Sequence, residues 1–291
     1  MSNRPEASDI REEIRLTISR RVRANQLEVP VLPHVAQQVL TLTSQPDAKI
    51  KDFVKIIEQD QQLTARLLKI ANSPVYGPLT RITSVQQAVM IVGMRSLRDL
   101  VFSIALGERV FRSKLLSEPM RRVWEHSLAV AHIAKEVAQA KRMDSDYAFL
   151  FGLLHDCGKP LLLETMERLC QQHQDWGRTV VALADDVMRE FHEPVGGLLA
   201  RAWHFNETMY AVIRFHREYA EAGKIRPMAL LVNVADLFAR SLGLGSYLEE
   251  EPFDLEREQA IHDFQLTPSE VRSLLNTLQK TTRTLVEEFR T

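Results

Sequence analysis

Cysteine is nearly absent: Cys157 and Cys170 are the only two in 291 residues. That is too few for a disulfide framework, so both read as free thiols in a reducing compartment. No apolar run approaches the roughly 18 residues that a membrane span requires. The polar start, Met1 to Glu6, lacks the apolar stretch of a secretory signal. A cytoplasmic location with no membrane partner is expected. An excess of one charge is missing too, with 37 Lys and Arg against 38 Asp and Glu. Without a global positive field, nucleic acid is not expected as a partner. Period-2 alternation rich in Val, Ile and Thr is nowhere sustained, which predicts essentially no sheet. There is no fixed-period repeat and no low-complexity tract.

What the sequence has is helical spacing. Hydrophobic residues are 45% and charged residues 26%, the balance of a globular chain long enough for two lobes. Asp9 and Glu12 fit a capping box ahead of Ile10, Ile14, Ile18 and Val22, one apolar stripe on a first helix within residues 1–26. Its Arg11, Arg15, Arg20, Arg21 and Arg23 face is read as solvated and is assigned no function. Pro33 suits a first helical position before Val35, Val39 and Leu42, and Pro46 closes that helix. Ile50 to Ile57 form another. Asp60 begins a helix with Leu63, Leu67 and Leu68 that Asn72-Ser73-Pro74 stops. Ser84 and Gln87 form a second capping box, Gly93 ends its helix, and Leu97, Leu100, Val101 and Ile104 stripe the next. These helices make a first lobe over 27–113, with Ser117-Glu118-Pro119 as the crossing into a second over 114–291. There a long helix carries Val123, His126, Val130 and Ile133 on one face. Helices follow near 146–156, 160–172, 178–190, 194–203, 207–217 and 227–240. A last helix is announced by Thr267, Pro268 and Glu270. The run Glu249-Glu250-Glu251 reads as a solvated turn. The fold class predicted is all-α.

The string Gly152-Leu153-Leu154-His155-Asp156-Cys157-Gly158-Lys159-Pro160 is an apolar helix that ends on adjacent His and Asp. Imidazole nitrogen and carboxylate oxygen together suit a divalent first-row metal. At a helix end, with Gly158 making a turn, both side chains can face inward. A lone His-Asp pair is also what a buried histidine satisfied by a carboxylate looks like. Other residues match, however. His126 shares the inward face of its helix, and Asp236 is embedded in the apolar run Leu230 to Phe238. His192 precedes Pro194-Val195-Gly196-Gly197 at the mouth of a helix, and His216 follows Val212, Ile213 and Phe215. Their joint occurrence points to one shared pocket. Two readings of Lys159 stand at this point: a point charge for a phosphate, or a solvated lysine at a helix start. Cys157 has no base paired with it in sequence and is set aside as a nucleophile.

The order His, His-Asp, Asp on successive helices resembles the HD superfamily of metal-dependent phosphohydrolases. Leu32-Pro33, the run Ile57 to Thr64, Ala71 to Gly77, Gln87-Ala88-Val89 and Trp124-Glu125-His126-Ser127 narrow the resemblance to the HDOD module. With His192, Val195-Gly196 and Trp203 it covers roughly residues 27 to 240. The resemblance implies a bacterial signal-transduction module, an HD-related output domain, and signalling proteins acting in trans are the expected partners. Related HD-GYP phosphodiesterases hydrolyse cyclic di-GMP and carry adjacent histidines before a Gly-Tyr-Pro element. Here the pair reads His216-Arg217 with no Gly-Tyr-Pro, and a guanidinium cannot ligate a metal. The residues carried over as metal ligands are His126, His155, Asp156 and Asp236, with His192 and His216 for a second ion or a substrate phosphate. One ion of iron, manganese or a similar transition metal is expected rather than two. In an enzyme, Asp156 and Lys159 would carry catalysis, Asp156 by orienting a water. The ranking is a regulatory module first, binding protein or ligand (a cyclic nucleotide or another phosphate compound) without catalysis. A metal-dependent phosphohydrolase is the alternative.

Overall fold

A computed structural model describes residues 7–24, 26–45, 47–173, 176–245, 247 and 252–290. Met1 to Glu6, Pro46 and Glu249 to Glu251, each given a role above, lie outside the described residues. Fourteen α-helices run along them, and no strand occurs among the described residues. In order they are α1 (Ala7–Arg23), α2 (His34–Thr43), α3 (Ile50–Glu58), α4 (Gln61–Ala71), α5 (Val85–Val92), α6 (Met94–Arg109) and α7 (Ser117–Ala140). Then come α8 (Ala148–Leu154), α9 (Gly158–Gln172), α10 (Gly177–Ala202), α11 (Glu207–Phe215), α12 (Arg226–Ser241), α13 (Gln259–Asp263) and α14 (Pro268–Arg290). The all-α class is as the periodicity predicts. Buried apolar residues from Ile10 to Phe289 form one continuous core.

Side chains cap the starts of α4, α5, α11 and α14. Asp60 accepts from the Leu63 amide at 3.0 Å, and Ser84 accepts from Gln87 at 3.2 Å, each satisfying a donor that a helix start leaves open. Asn72 both donates to the Ile82 carbonyl and accepts from the Ile82 amide, at 2.8 Å each, pinning the loop after α4. At α14 the predicted box is reciprocal: the Thr267 amide donates to Glu270 at 2.8 Å, and the Glu270 amide to Thr267 Oγ1 at 3.3 Å.

Several expectations are corrected. α1 begins at Ala7, so Asp9 lies inside its first turn and does not cap it. Pro33 is the residue before α2, not its first. Ser117-Glu118-Pro119 is the first turn of α7, since proline is tolerated where no intrahelical N–H bond exists. The segments 178–190 and 194–203 are one helix of 26 residues with Pro194 inside it. His192 is therefore in the interior of a helix and not at its mouth. α1 packs on α9 and α10. Two residues of its basic face are paired there, Arg11 with Asp186 at 2.8 Å and Arg15 with Glu190 at 2.8 Å.

The helices that matter for the site are α7, α8, α10, α11 and α12. Gly152 lets α8 meet α7 backbone to backbone, where a Cβ would stand 2.6 Å from Ala131 Cα. Gly158 does the same for the start of α9 against α10. A Cβ there would stand 2.1 Å from the His192 carbonyl oxygen. Close approach of the two backbones is thus what requires Gly158.

Candidate metal centre

Each histidine is fixed through one ring nitrogen. His126 Nδ1 donates to the Leu244 carbonyl at 2.8 Å, His155 to Gly152 at 2.6 Å, His192 to Met188 at 2.7 Å and His216 to Ile213 at 3.2 Å. A carbonyl can only accept, so the proton sits on Nδ1 and the lone pair on Nε2. All four Nε2 atoms converge with two carboxylates. His126 Nε2 is 3.0 Å from Asp236 and 3.5 Å from Asp156. His155 Nε2 is 3.2 Å from Asp156 Oδ2. His192 and His216 lie 3.6 and 3.8 Å from Asp156 Oδ1 and 3.3 Å from each other, Nε2 to Nε2.

With Nδ1 protonated, these are lone pairs facing lone pairs. His126 Nε2, His155 Nε2 and Asp156 Oδ1 are buried without a hydrogen-bond partner, which is costly unless a cation joins them. Protons do not supply that cation at the second histidine pair. Burial pushes His192 down to about 3 and His216 well below the usual imidazole range. At His155 burial is outweighed by the charge of Asp156, which raises it. Burial is likewise outweighed at Asp156 by His155 and Lys159, and at Asp236 by His126, so both carboxyls are depressed.

The donors divide into two groups, His126, His155 and Asp156, and Asp156, His192 and His216, with ligand atoms in each within 4.8 Å of one another. Asp236 joins the first through His126. The set of imidazole nitrogens and carboxylate oxygens therefore fits a divalent transition metal, with the second nitrogen of every imidazole held by a carbonyl, as metal-binding histidines require. Asp156 is common to both groups, which accommodates a second ion beside the one expected.

All six residues expected from the sequence meet here. Lys159 is buried and ion-paired with Asp156, so the reading of a solvated lysine is overturned. Cys157 is buried, and burial together with Asp156 raises its thiol, against any nucleophilic role. The sequence reading missed Arg189, Arg240 and Tyr247 beside the centre. A cavity of about 80 Å³ is lined by Lys159, Arg189, Arg217, Arg240 and Tyr247 beside the histidines and aspartates. Tyr247 lies under Arg189 at 4.0 Å and Lys159 at 4.3 Å. Arg189 precedes His192 by three residues and Arg240 follows Asp236 by four, the spacings that share a helix face. That signal was in the sequence. Asn233, three before Asp236, donates to the His216 carbonyl at 2.9 Å and ties α11 to α12.

The HDOD domain profile matches residues 29–219. An HDOD domain protein of unknown function from Geobacter sulfurreducens has a similar structure, with TM-score 0.73, 24% identity, and coverage of 95% of this chain and 97% of that one. A candidate metal-dependent phosphohydrolase from Shewanella amazonensis SB2B has TM-score 0.70, 19% identity and coverage of 96% and 99%. A candidate signal-transduction protein from Marinobacter aquaeolei VT8 has TM-score 0.68, 18% identity and coverage of 98% and 69%. At these identities the likeness is one of fold. An uncharacterized protein of Treponema pallidum (strain Nichols) is 25% identical over 260 residues. The match takes in 87% of this chain, which spans about half (49%) of the length of that relative.

Proposed function

The chain belongs to the HDOD-domain family, and on that premise we propose that it is a signal-transduction output module. Its histidine and aspartate centre holds a divalent transition metal, iron or manganese or one like them. Its output is contact with a signalling protein supplied in trans, without turnover. The observation that carries this reading is the size of the central cavity, about 80 Å³. Sites for drug-sized ligands run to roughly 300–1,000 Å³. The cavity is small for a cyclic dinucleotide held whole. An ion with its water or a single phosphate group fits.

The residues around the ion have separable tasks. His126, His155, Asp156 and Asp236 would hold one position, and His192 and His216, sharing Asp156, an adjacent one. A bound metal supplies Lewis-acid charge at the cavity. Lys159 stabilises the Asp156 carboxylate, and Tyr247 stacked with Arg189 lines the cavity beside them.

One observation favours the second reading, a metal-dependent phosphohydrolase: Lys159, Arg189, Arg217 and Arg240 line the same cavity, a cationic wall suited to a phosphoryl group. Manganese-loaded protein assayed with p-nitrophenyl phosphate, its bis ester and cyclic di-GMP separates the two. We expect no turnover above that of His155→Ala. Turnover abolished by both His155→Ala and Asp156→Asn would put the hydrolase first.

A further inference from the structure

We propose that the C-terminal helix α14 positions the metal ligand His126 through Arg283 and the turn that closes α12. The proposal rests on the reading of the centre as a metal site and extends it to residues that touch no ligand atom.

The chain of contacts starts at the end of α12. Leu242 caps the helix, and Gly243 follows with φ +72°, the left-handed conformation that glycine adopts without strain. The Gly243 amide donates to the Arg240 carbonyl and the Leu244 amide to Ala239, both at 2.9 Å. That pair of bonds defines a Schellman motif, which fixes the Leu244 amide and so the point at which the chain leaves α12. The Leu244 carbonyl, next along the chain, accepts the Nδ1 proton of His126 at 2.8 Å, with Nε2 turned towards Asp156 and Asp236. One helix therefore supplies Asp236 to the centre and, from its last turn, aligns a histidine on another helix.

The motif is held from outside. Arg283, exposed on α14, donates through Nη2 to the Leu242 carbonyl at 2.8 Å. α14 is in turn registered on α7, the helix that carries His126. His132 meets Thr281 at 3.1 Å, Arg290 pairs with Glu125 at 2.7 Å, and Phe289 lies edge-on to Trp124 with centroids 6.1 Å apart. α7, α12 and α14 thus close a triangle in which one side sets the rotation of the His126 ring. Asp236, Leu244 and Arg283 all lie beyond residue 219, where the family match ends, so the C-terminal segment completes the centre. A partner that displaces α14 would loosen the metal, giving the module a route from protein contact to metal affinity.

The test uses the full chain with Arg283→Ala and Arg283→Lys. Two readouts are taken: zinc affinity by competition with a chelator, and the Nδ1–H proton resonances of the histidines in metal-free protein. Arg283→Ala should weaken zinc about tenfold, at the lower end of the roughly 10–100-fold range for residues that orient a metal ligand. It should broaden the His126 signal and leave those of His155 and His192 intact. Arg283→Lys, which keeps a donor, should recover part of the affinity. A general loss of structure would broaden all the histidine signals and overturn the specific claim. So would an Arg283→Ala protein with unchanged affinity and an intact His126 signal. Wild-type protein that takes up no zinc contradicts the metal reading alone, because the His126 resonance still decides the positioning.

Discussion

At Gly158 the backbones of α9 and α10 come within reach of each other, and the geometry of the centre depends on that approach. A Cβ placed 2.1 Å from the His192 carbonyl and 2.6 Å from the Gly196 amide meets backbone on both sides, which cannot turn away as a side chain would. Gly158→Ala should therefore cost about 3 kcal/mol or more in urea denaturation, the upper range of overpacking. An unchanged midpoint would show that the helices can separate freely. The buried histidines make a second prediction. Burial holds His192 at about 3 against 6.5, so as pH falls below 6.5 the unfolded chain binds a proton that the folded chain refuses. Its contribution to stability is full above 6.5 and is lost as pH falls towards 3. Metal-free protein should lose stability across that window, and His192→Asn should flatten the curve of urea midpoint against pH. At this scale the inward residues were legible, because the 3.6-residue period fixes which side of a helix faces the core. It placed His126 with Val130 and Ile133, and Asp236 within an apolar run. The Leu244 carbonyl was not legible, since every residue carries one and only the path of the chain decides which carbonyl meets a histidine.

Element boundaries were legible where a side chain makes the cap and obscure where packing overrides local preference. The Thr267 and Glu270 box marks α14 because both partners are chemically distinctive and three residues apart. Thr267→Ala should lower stability by about 1 kcal/mol, measured by denaturant unfolding, and a change under 0.2 kcal/mol would show that the cap adds nothing to the packing of α14. The joint at Pro194 is the contrary case. Proline in a helix interior costs about 3 kcal/mol and so predicts a boundary, yet α10 runs through it and packs against α9 and α11. Burial of Val187, Met188, Val195 and Leu199 outweighs one missing hydrogen bond. The same override places His192 inside a helix, where its Nδ1 bonds to the Met188 carbonyl one turn back.

Across the molecule the core is continuous from Ile10 to Phe289, and residues 27–113 and 114–291 are proposed as two lobes that share it. A shared core predicts one calorimetric transition, and ligands of the metal centre drawn from α7, α8, α10, α11 and α12 predict that metal moves it as a whole. Binding to the folded state alone adds about 2.7 kcal/mol at a metal concentration 100 times Kd. Manganese should raise the single Tm and a chelator lower it, while two transitions of which only one moves would show lobes that unfold separately. The central claim is that the converging Nε2 atoms and carboxylates form a metal centre, and its most direct test is the metal content of untagged protein purified without chelators. The account predicts one to two equivalents of a transition metal per chain, lost in both His155→Ala and Asp236→Ala. Folded wild-type protein with no metal and no uptake of added iron, manganese or zinc would contradict it.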